Sequence, residues 1–179
     1  RAHEGQIISF DTLVSLLQNN VFGIDVDGTA IRVTAFSLYL TLIDQLDPKT
    51  LWNSGNHKLP YLIYDPDDVT LKGKQGRNLW RRNTISEVDV DSFPTVRLVV
   101  GNPPYGTKSL SPEIKQYCQR ENFAGEYVLP FMHKATKFCP DGEIALVFTS
   151  KVLFNTGGGY ARFRKWFFKE NTVRRMDNL

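Results

Sequence analysis

The sequence has few of the residues that build metal centres or disulfide frameworks. Its 179 residues include two cysteines, Cys118 and Cys139, and three scattered histidines. The cysteines lie far apart without a Cys-x-x-Cys spacing, so the sequence has no zinc-binding pattern, and we expect two buried or half-buried free thiols. A metal cofactor is therefore not predicted.

Long apolar runs and strong charge of one sign are also missing. No run approaches the roughly 20 residues that cross a bilayer, and no signal peptide is visible. We therefore expect no membrane partner, and a reducing cytoplasm is the simplest compartment. The net charge is +3 and the isoelectric point is near 8.9. This mild basicity permits a nucleic-acid partner without identifying one.

Apolar runs alternate with helical periodicities along the chain, which indicates an α/β fold. The patterns predict strands near 21–25, 96–101 and 144–149, and a last strand that starts at 172–176. They also predict the end of a helix over 11–18 and helices near 29–46, 124–139 and 158–170. The stretch 47–76, rich in Pro, Asp, Gly, Asn and Lys, predicts an irregular insertion. Short strands are predicted within 59–64 and 78–85, and a polar loop over 106–123.

The most informative segment is Asn102-Pro103-Pro104-Tyr105, directly after an apolar run that ends at Gly101. Two successive prolines fix φ, remove two backbone donors and favour extended geometry. The Asn102 and Pro103 carbonyls are therefore free to accept from a ligand, and the Asn102 side chain adds an acceptor. Tyr105 adds a flat stacking surface. Together these groups suit a planar molecule that carries an exocyclic NH2.

Leu-Val-Val-Gly-Asn-Pro-Pro-Tyr-Gly (98–106) resembles the catalytic motif of adenine-specific, amino-methylating DNA methyltransferases. The resemblance implies a target adenine flipped out of the duplex. The Asn102 side chain and the Pro103 carbonyl would accept from its amine, Tyr105 would stack on the base, and Pro104 completes the motif. The methyl donor would be S-adenosylmethionine, and catalysis would come from positioning and oriented acceptors.

A second motif lies upstream, where a short apolar strand over 21–25 ends in an acid. Acids at this place hold a ribose diol in nucleotide-binding α/β sheets. The resemblance assigns this cofactor role to Asp25 and packing on the cofactor's adenine to Val26. Asp27 has another role available, because it precedes the predicted helix and can cap it.

A third position of the family is an acid ahead of the catalytic strand that touches the cofactor's adenine amine, and an asparagine there could still form the hydrogen bond. The nearest match is Asn83, with Asp89 and Asp91 as alternatives, and a solvated loop without this role is an equal alternative.

The resemblance extends over most of the chain. Residues 143–155 and the helix that follows resemble the strand and helix beyond the catalytic loop in adenine methyltransferases of restriction–modification systems. Residues 1–20 lack the family's glycine-rich cofactor loop, and the chain stops before the family's target-recognition region. We therefore expect a Rossmann-like methyltransferase fold that is incomplete at both ends, as a single partial catalytic domain over 1–179.

The resemblance implies adenine methylation of DNA in a bacterial or archaeal cytoplasm, in a system that has a restriction or specificity subunit or domain as a further partner. This activity is expected of the intact parent protein, and the isolated fragment is expected to be inactive. One alternative is an amino-methyltransferase that acts on a protein glutamine or an RNA base. Another is a non-catalytic fragment that contributes binding or structure, which the missing glycine loop favours.

Overall fold

The computed structural model describes residues 8–46 and 58–177. The chain divides into two compact units, residues 1–84 and residues 85–179. Parallel strands and helices build both units, so the chain has an α/β fold. None of the helices in the described ranges has the length and apolar character needed to span a bilayer.

The first unit contains a three-stranded parallel sheet. Its strands are β1 (Gly23–Asp25), β2 (Ile63–Tyr64) and β3 (Leu79–Arg81), in the spatial order β1–β3–β2. In the register of the sheet, Asp25 lies opposite Arg81. The carboxyl ends of parallel strands meet at one edge, so the residues after β1 and β3 share that edge. The two short strands predicted within 59–64 and 78–85 are confirmed.

Two helices of the first unit begin where the sequence supplies caps. Helix α1 (Phe10–Asn20) starts after Ser9, whose side chain accepts from the Thr12 amide at 3.2 Å. Helix α2 (Gly28–Asp44) starts after Asp27, whose Oδ1 accepts from the Thr29 amide at 2.8 Å. The capping role considered for Asp27 is therefore confirmed, because its carboxylate satisfies an amide that the first turn leaves unpaired.

The core of the first unit lies between its helices and its sheet. It consists of buried apolar side chains from α1, α2 and the strand region, namely Phe10, Leu17, Ile31, Ala35, Leu42, Leu46, Leu62 and Leu79. Asn78 is also buried, and its Nδ2 donates to the carbonyls of Leu17, Gln18 and Val21 at 2.7–3.2 Å. This amide closes the end of α1 and fixes the chain where it enters β1.

The predicted insertion over 47–76 is described only in part. Residues 47–57 lie outside the described residues. The described remainder, 58–76, contains β2 and a 3₁₀ turn over Val69–Leu71. Strand β2 pairs with β3, so this portion contributes a strand to the sheet.

The second unit contains a two-stranded parallel sheet of β4 (Leu98–Gly101) and β5 (Glu143–Leu146). The crossover from β4 to β5 carries helices α3 (Pro112–Arg120) and α4 (Val128–Phe138). Helices α5 (Lys151–Phe154) and α6 (Gly158–Glu170) follow β5. The strand predicted near 144–149 is therefore present but ends at Leu146, and the helices predicted near 124–139 and 158–170 are confirmed.

Two predicted elements of this unit are wrong. The stretch 106–123 is not a continuous loop, since it contains α3. Ser111 caps this helix and Pro112 occupies its first turn, while one face buries Ile114, Tyr117 and Cys118. No strand is present over the described residues 171–177, which are mostly exposed. A strand needs hydrogen bonds to a neighbouring strand, and residues 171–177 pair with no strand in the described part of the chain.

The second unit has two apolar clusters. The larger joins α4, α5 and α6, and its buried members are Val128, Leu129, Met132, Val152, Tyr160 and Phe163. The smaller surrounds α3, with Ile85, Ile114, Tyr117 and Cys118 buried. Cys118 and Cys139 are both buried free thiols, as predicted.

Candidate active site

The predicted catalytic motif begins at Asn102, directly after Gly101, the last residue of the β4 ladder. The Gly101 carbonyl accepts from the Val147 amide at 3.0 Å. A Cβ atom at Gly101 would lie 3.2 Å from Leu146 Cδ2, so glycine at this position avoids a close contact with β5. The motif thus leaves the sheet at the carboxyl edge of parallel strands, where ligands bind in open α/β sheets.

The motif places one side-chain amide and one aromatic ring beside each other. The Tyr105 hydroxyl donates a hydrogen bond to Oδ1 of Asn102. Asn102 and Pro104 are exposed and Tyr105 retains 43 % of its accessible surface, whereas Pro103 is buried. The structure therefore brings together the two side chains of the motif to which a role in base binding was assigned, and it leaves both accessible to a ligand.

A buried carboxylate lies in the chain between α3 and α4 of the second unit. Glu126 accepts from the Tyr160 hydroxyl and from Thr149 Oγ1, the latter at 3.3 Å. Burial raises the pKa of Tyr160, and its hydrogen bond to Glu126 acts in the same direction. Tyr160 is thus held as a neutral donor, and Glu126 ties the segment after β5 to α6.

The residue after Glu126 contacts the loop that follows the motif. The Tyr127 amide donates to the Gly106 carbonyl at 3.2 Å, and its hydroxyl donates to the Ser109 carbonyl at 3.1 Å. Neither Glu126 nor Tyr127 was predicted from the sequence to contact this site. Neither belongs to the motif, and an isolated Glu-Tyr pair before an apolar helix carries no local signal of this role.

The residues predicted to hold the cofactor lie in the first unit. Asp25 is the last residue of β1, and its Oδ1 accepts from the Asp27 amide at 2.8 Å. This bond fixes the direction of an exposed carboxylate. The next side chain, Val26, is 61 % exposed and offers an apolar surface beside that carboxylate.

Asn83 follows β3, the strand that pairs with β1. The amide of Arg82, the residue before Asn83, donates to the Asp25 carbonyl at 3.0 Å. The backbone at Asn83 and Asp25 therefore lies at the same edge of the first sheet. The alternatives, Asp89 and Asp91, belong to the second unit.

Ion pairs occupy the neighbouring ends of β2 and β3. Arg81 pairs with the buried Asp65 at 3.1 Å, and Arg82 pairs with Asp67 at 2.9 Å. The Asp65 partner raises the pKa of Arg81. The two arginines thereby hold the acidic loop after β2.

Metal ligation has no candidate in the described part of the chain, where no group of three or more His, Cys, Asp or Glu side chains is placed to hold an ion. His133, the one histidine within these ranges, is buried among aromatic rings, with Trp166 at 4.4 Å between ring centroids. Its surroundings are those of a core residue.

Comparison with known proteins assigns a family. No curated protein matches the chain. One family model, described as Eco57I restriction-modification methylase, matches residues 19–179. The match includes β1 with Asp25, the segment with Asn83 and the whole Asn102–Tyr105 motif. The chain therefore belongs to the Eco57I family of restriction-modification methylases, which methylate DNA.

Proposed function

We propose that this chain directs transfer of a methyl group from S-adenosylmethionine to the exocyclic amine of an adenine flipped out of DNA. The observation that carries the proposal is the motif at the end of β4, where Asn102 and Tyr105 lie in contact and exposed. A motif that offers acceptors and an aromatic ring suits attack by a neutral amine.

In this proposal, the side-chain oxygen of Asn102 and the carbonyl oxygen of Pro103 orient the target amine. Both are acceptors, so the two N–H bonds of an adenine amine would donate to them. This pairing turns the nitrogen lone pair away from the acceptors and toward the methyl group. S-adenosylmethionine supplies an activated methyl group on a positively charged sulfur. Attack would form the N–C bond as the C–S bond of the cofactor breaks, and S-adenosylhomocysteine would leave as an uncharged thioether. The methylated amine would then release its extra proton to solvent, so positioning and oriented acceptors carry the rate.

The Tyr105 hydroxyl sets a condition for base entry. It donates to Oδ1 of Asn102, the acceptor that the target amine requires. The entering base therefore replaces this contact, and the Tyr105 ring then stacks on the flipped base. Exchange of one hydrogen bond for another keeps the cost of entry small.

The first unit offers groups that fit the cofactor. The exposed Asp25 carboxylate, oriented by the Asp27 amide, suits a ribose diol, since a carboxylate accepts from two hydroxyls. Val26 offers an apolar contact for the adenine ring, and Asn83 offers an amide for its amine. These three roles are part of the proposal.

Two other substrates share the same chemistry. A protein glutamine and an RNA base each carry an NH2 on an sp2 carbon, which the motif would accept equally well. Membership of a restriction-modification family favours DNA. It also favours action in the cytoplasm of a bacterium or archaeon, with a restriction or specificity subunit or domain as partner.

The test is to incubate the protein with S-adenosylmethionine labelled in its methyl group, and with DNA, RNA or a glutamine peptide. Mass spectrometry of the digested products locates the label. We expect N6-methyladenine from DNA alone. Label on RNA or the peptide would favour the alternative substrates, and absence of label from all three, with a folded chain, would favour a non-catalytic role.

A further inference from the structure

The loop over residues 106–111 connects the catalytic motif to α3 and lies outside any sheet or helix. Gly106 has φ of +117° and Ser109 has φ of +52°, both in the left-handed region. Thr107, Lys108 and Ser109 are exposed. An exposed loop without ladder hydrogen bonds keeps one conformation only if other groups hold it.

Tyr127 provides three of those contacts. Its amide donates to the Gly106 carbonyl at 3.2 Å. Its hydroxyl donates to the Ser109 carbonyl at 3.1 Å and accepts from the Ser111 amide at 3.1 Å. One residue therefore contacts the beginning, middle and end of the 106–111 loop.

The position of Tyr127 is itself fixed by the second unit. Its ring packs with Leu110 against the cluster around Ile114. Its neighbour Glu126 is buried and accepts from Tyr160 of α6 and Thr149 after β5. Rigid surroundings make a residue suitable for orienting a catalytic segment.

We propose that Tyr127 is a positioning residue for the methyl-transfer reaction, since it holds the 106–111 loop and thereby the Asn102–Tyr105 motif next to it. This inference rests on the proposed function. Tyr127 acts through the loop and contacts none of the four motif residues by a hydrogen bond that the structure shows. Loss of the Tyr127 contacts should therefore lower kcat and leave the affinity for the cofactor unchanged.

The test variant is Tyr127→Phe, which keeps the ring in its cluster and removes only the hydroxyl. The matched control is Tyr39→Phe in α2 of the first unit, which loses a tyrosine hydroxyl bond of similar kind, to the Pro60 carbonyl at 2.6 Å. Hydrogen–deuterium exchange of peptides over 106–111 measures how firmly the loop is held. Methyl transfer and calorimetric titration with S-adenosylmethionine supply kcat, KM for DNA and the cofactor Kd.

We expect faster exchange over 106–111 in Tyr127→Phe, a fall in kcat of about tenfold from the displaced motif, and an unchanged cofactor Kd. Tyr39→Phe should leave all three at the wild-type values. Unchanged exchange in Tyr127→Phe would overturn the proposal, as would faster exchange with unchanged kcat. If the wild-type protein methylates no substrate, the proposed function fails, and exchange alone then decides whether Tyr127 holds the loop.

Discussion

Asn102 and Tyr105 stand at the two ends of a four-residue segment, and the prolines between them make their contact possible. Pro103 and Pro104 each fix φ near −65°, so few backbone conformations remain to lose on folding. The Tyr105 hydroxyl then reaches Oδ1 of Asn102. At the scale of single residues, the site is a rigid acceptor with an adjacent aromatic ring.

The two functions of Tyr105 can be separated by substitution. Tyr105→Phe keeps the ring and removes the donor to Asn102, so we expect a mild effect on methyl transfer. Tyr105→Ala removes the stacking surface and should weaken binding of the flipped base by about 1–3 kcal/mol. Fluorescence of 2-aminopurine at the target position, together with kcat and KM, measures both effects. Equal losses in the two variants would show that stacking is not the role of this residue.

The exposed carboxylate of Asp25 gives a second prediction. Asp25→Ala should weaken binding of S-adenosylmethionine by about 1.5–3 kcal/mol, because hydrogen bonds to a charged acceptor are lost. Isothermal titration calorimetry measures the change. Asp44→Ala is the matched control, because it removes an exposed aspartate from the last turn of α2 in the same unit. Equal affinity in wild type and Asp25→Ala would remove Asp25 from the cofactor site.

At the scale of elements, sequence patterns located long helices well and short elements less well. Helix α2 and helix α6 follow clear apolar periodicity and were predicted with nearly correct bounds. Helix α3 was missed because its residues are mostly polar, although Ser111-Pro112 is a helix-start signal. The strand predicted at 172–176 was wrong, because β propensity becomes a strand only where a partner strand is present.

Helix α4 carries a buried histidine that should make stability depend on pH. Burial lowers the pKa of His133 below its ordinary value, Lys137 and Arg120 act in the same direction, and Glu121 opposes them. The unfolded chain then binds a proton more readily than the folded protein. The contribution of His133 to the free energy of unfolding is therefore present above pH about 6.5 and is lost as the pH falls below it.

Urea unfolding at pH 8 and pH 5 tests this sign. The comparison is with His133→Phe, which keeps an aromatic ring against Trp166 and Phe123 but does not titrate. We expect wild type to lose more stability than the variant between the two pH values. A larger loss in the variant would mean that the folded protein favours the charged imidazole.

At the scale of the whole molecule, the chain forms two compact units that divide the predicted site residues between them. Asp25, Val26 and Asn83 belong to the first unit, and the Asn102–Tyr105 motif belongs to the second. The distinctive Asn-Pro-Pro-Tyr segment made its own residues predictable as candidates, and the family resemblance did so for Asp25, Val26 and Asn83, whose roles stay predictions. The Tyr127 and Glu126 contacts were not predictable, because they depend on tertiary pairing between segments that are up to 34 residues apart.

We propose, as the sequence predicts, that residues 1–179 act as a single catalytic domain. Leu62→Ala in the first unit and Phe163→Ala in the second each empty a fully buried position and should cost about 2–5 kcal/mol. In one cooperative domain, both variants lower the midpoint of the same thermal transition. Differential scanning calorimetry that resolves two transitions, each moved by one variant alone, would contradict a single domain.

The substitution Asn102→Ala tests directly whether this motif is the methylating centre, with formation of N6-methyladenine in DNA measured by nucleoside mass spectrometry. Because the variant loses an oriented acceptor, we expect it to methylate DNA at a rate at least ~100-fold lower than wild type. We expect calorimetry to give the same affinity for S-adenosylmethionine in the variant and in wild type. Near-normal turnover in Asn102→Ala, or a methyl group on cytosine in the wild-type reaction, would contradict the assignment of this motif as the adenine-methylating centre.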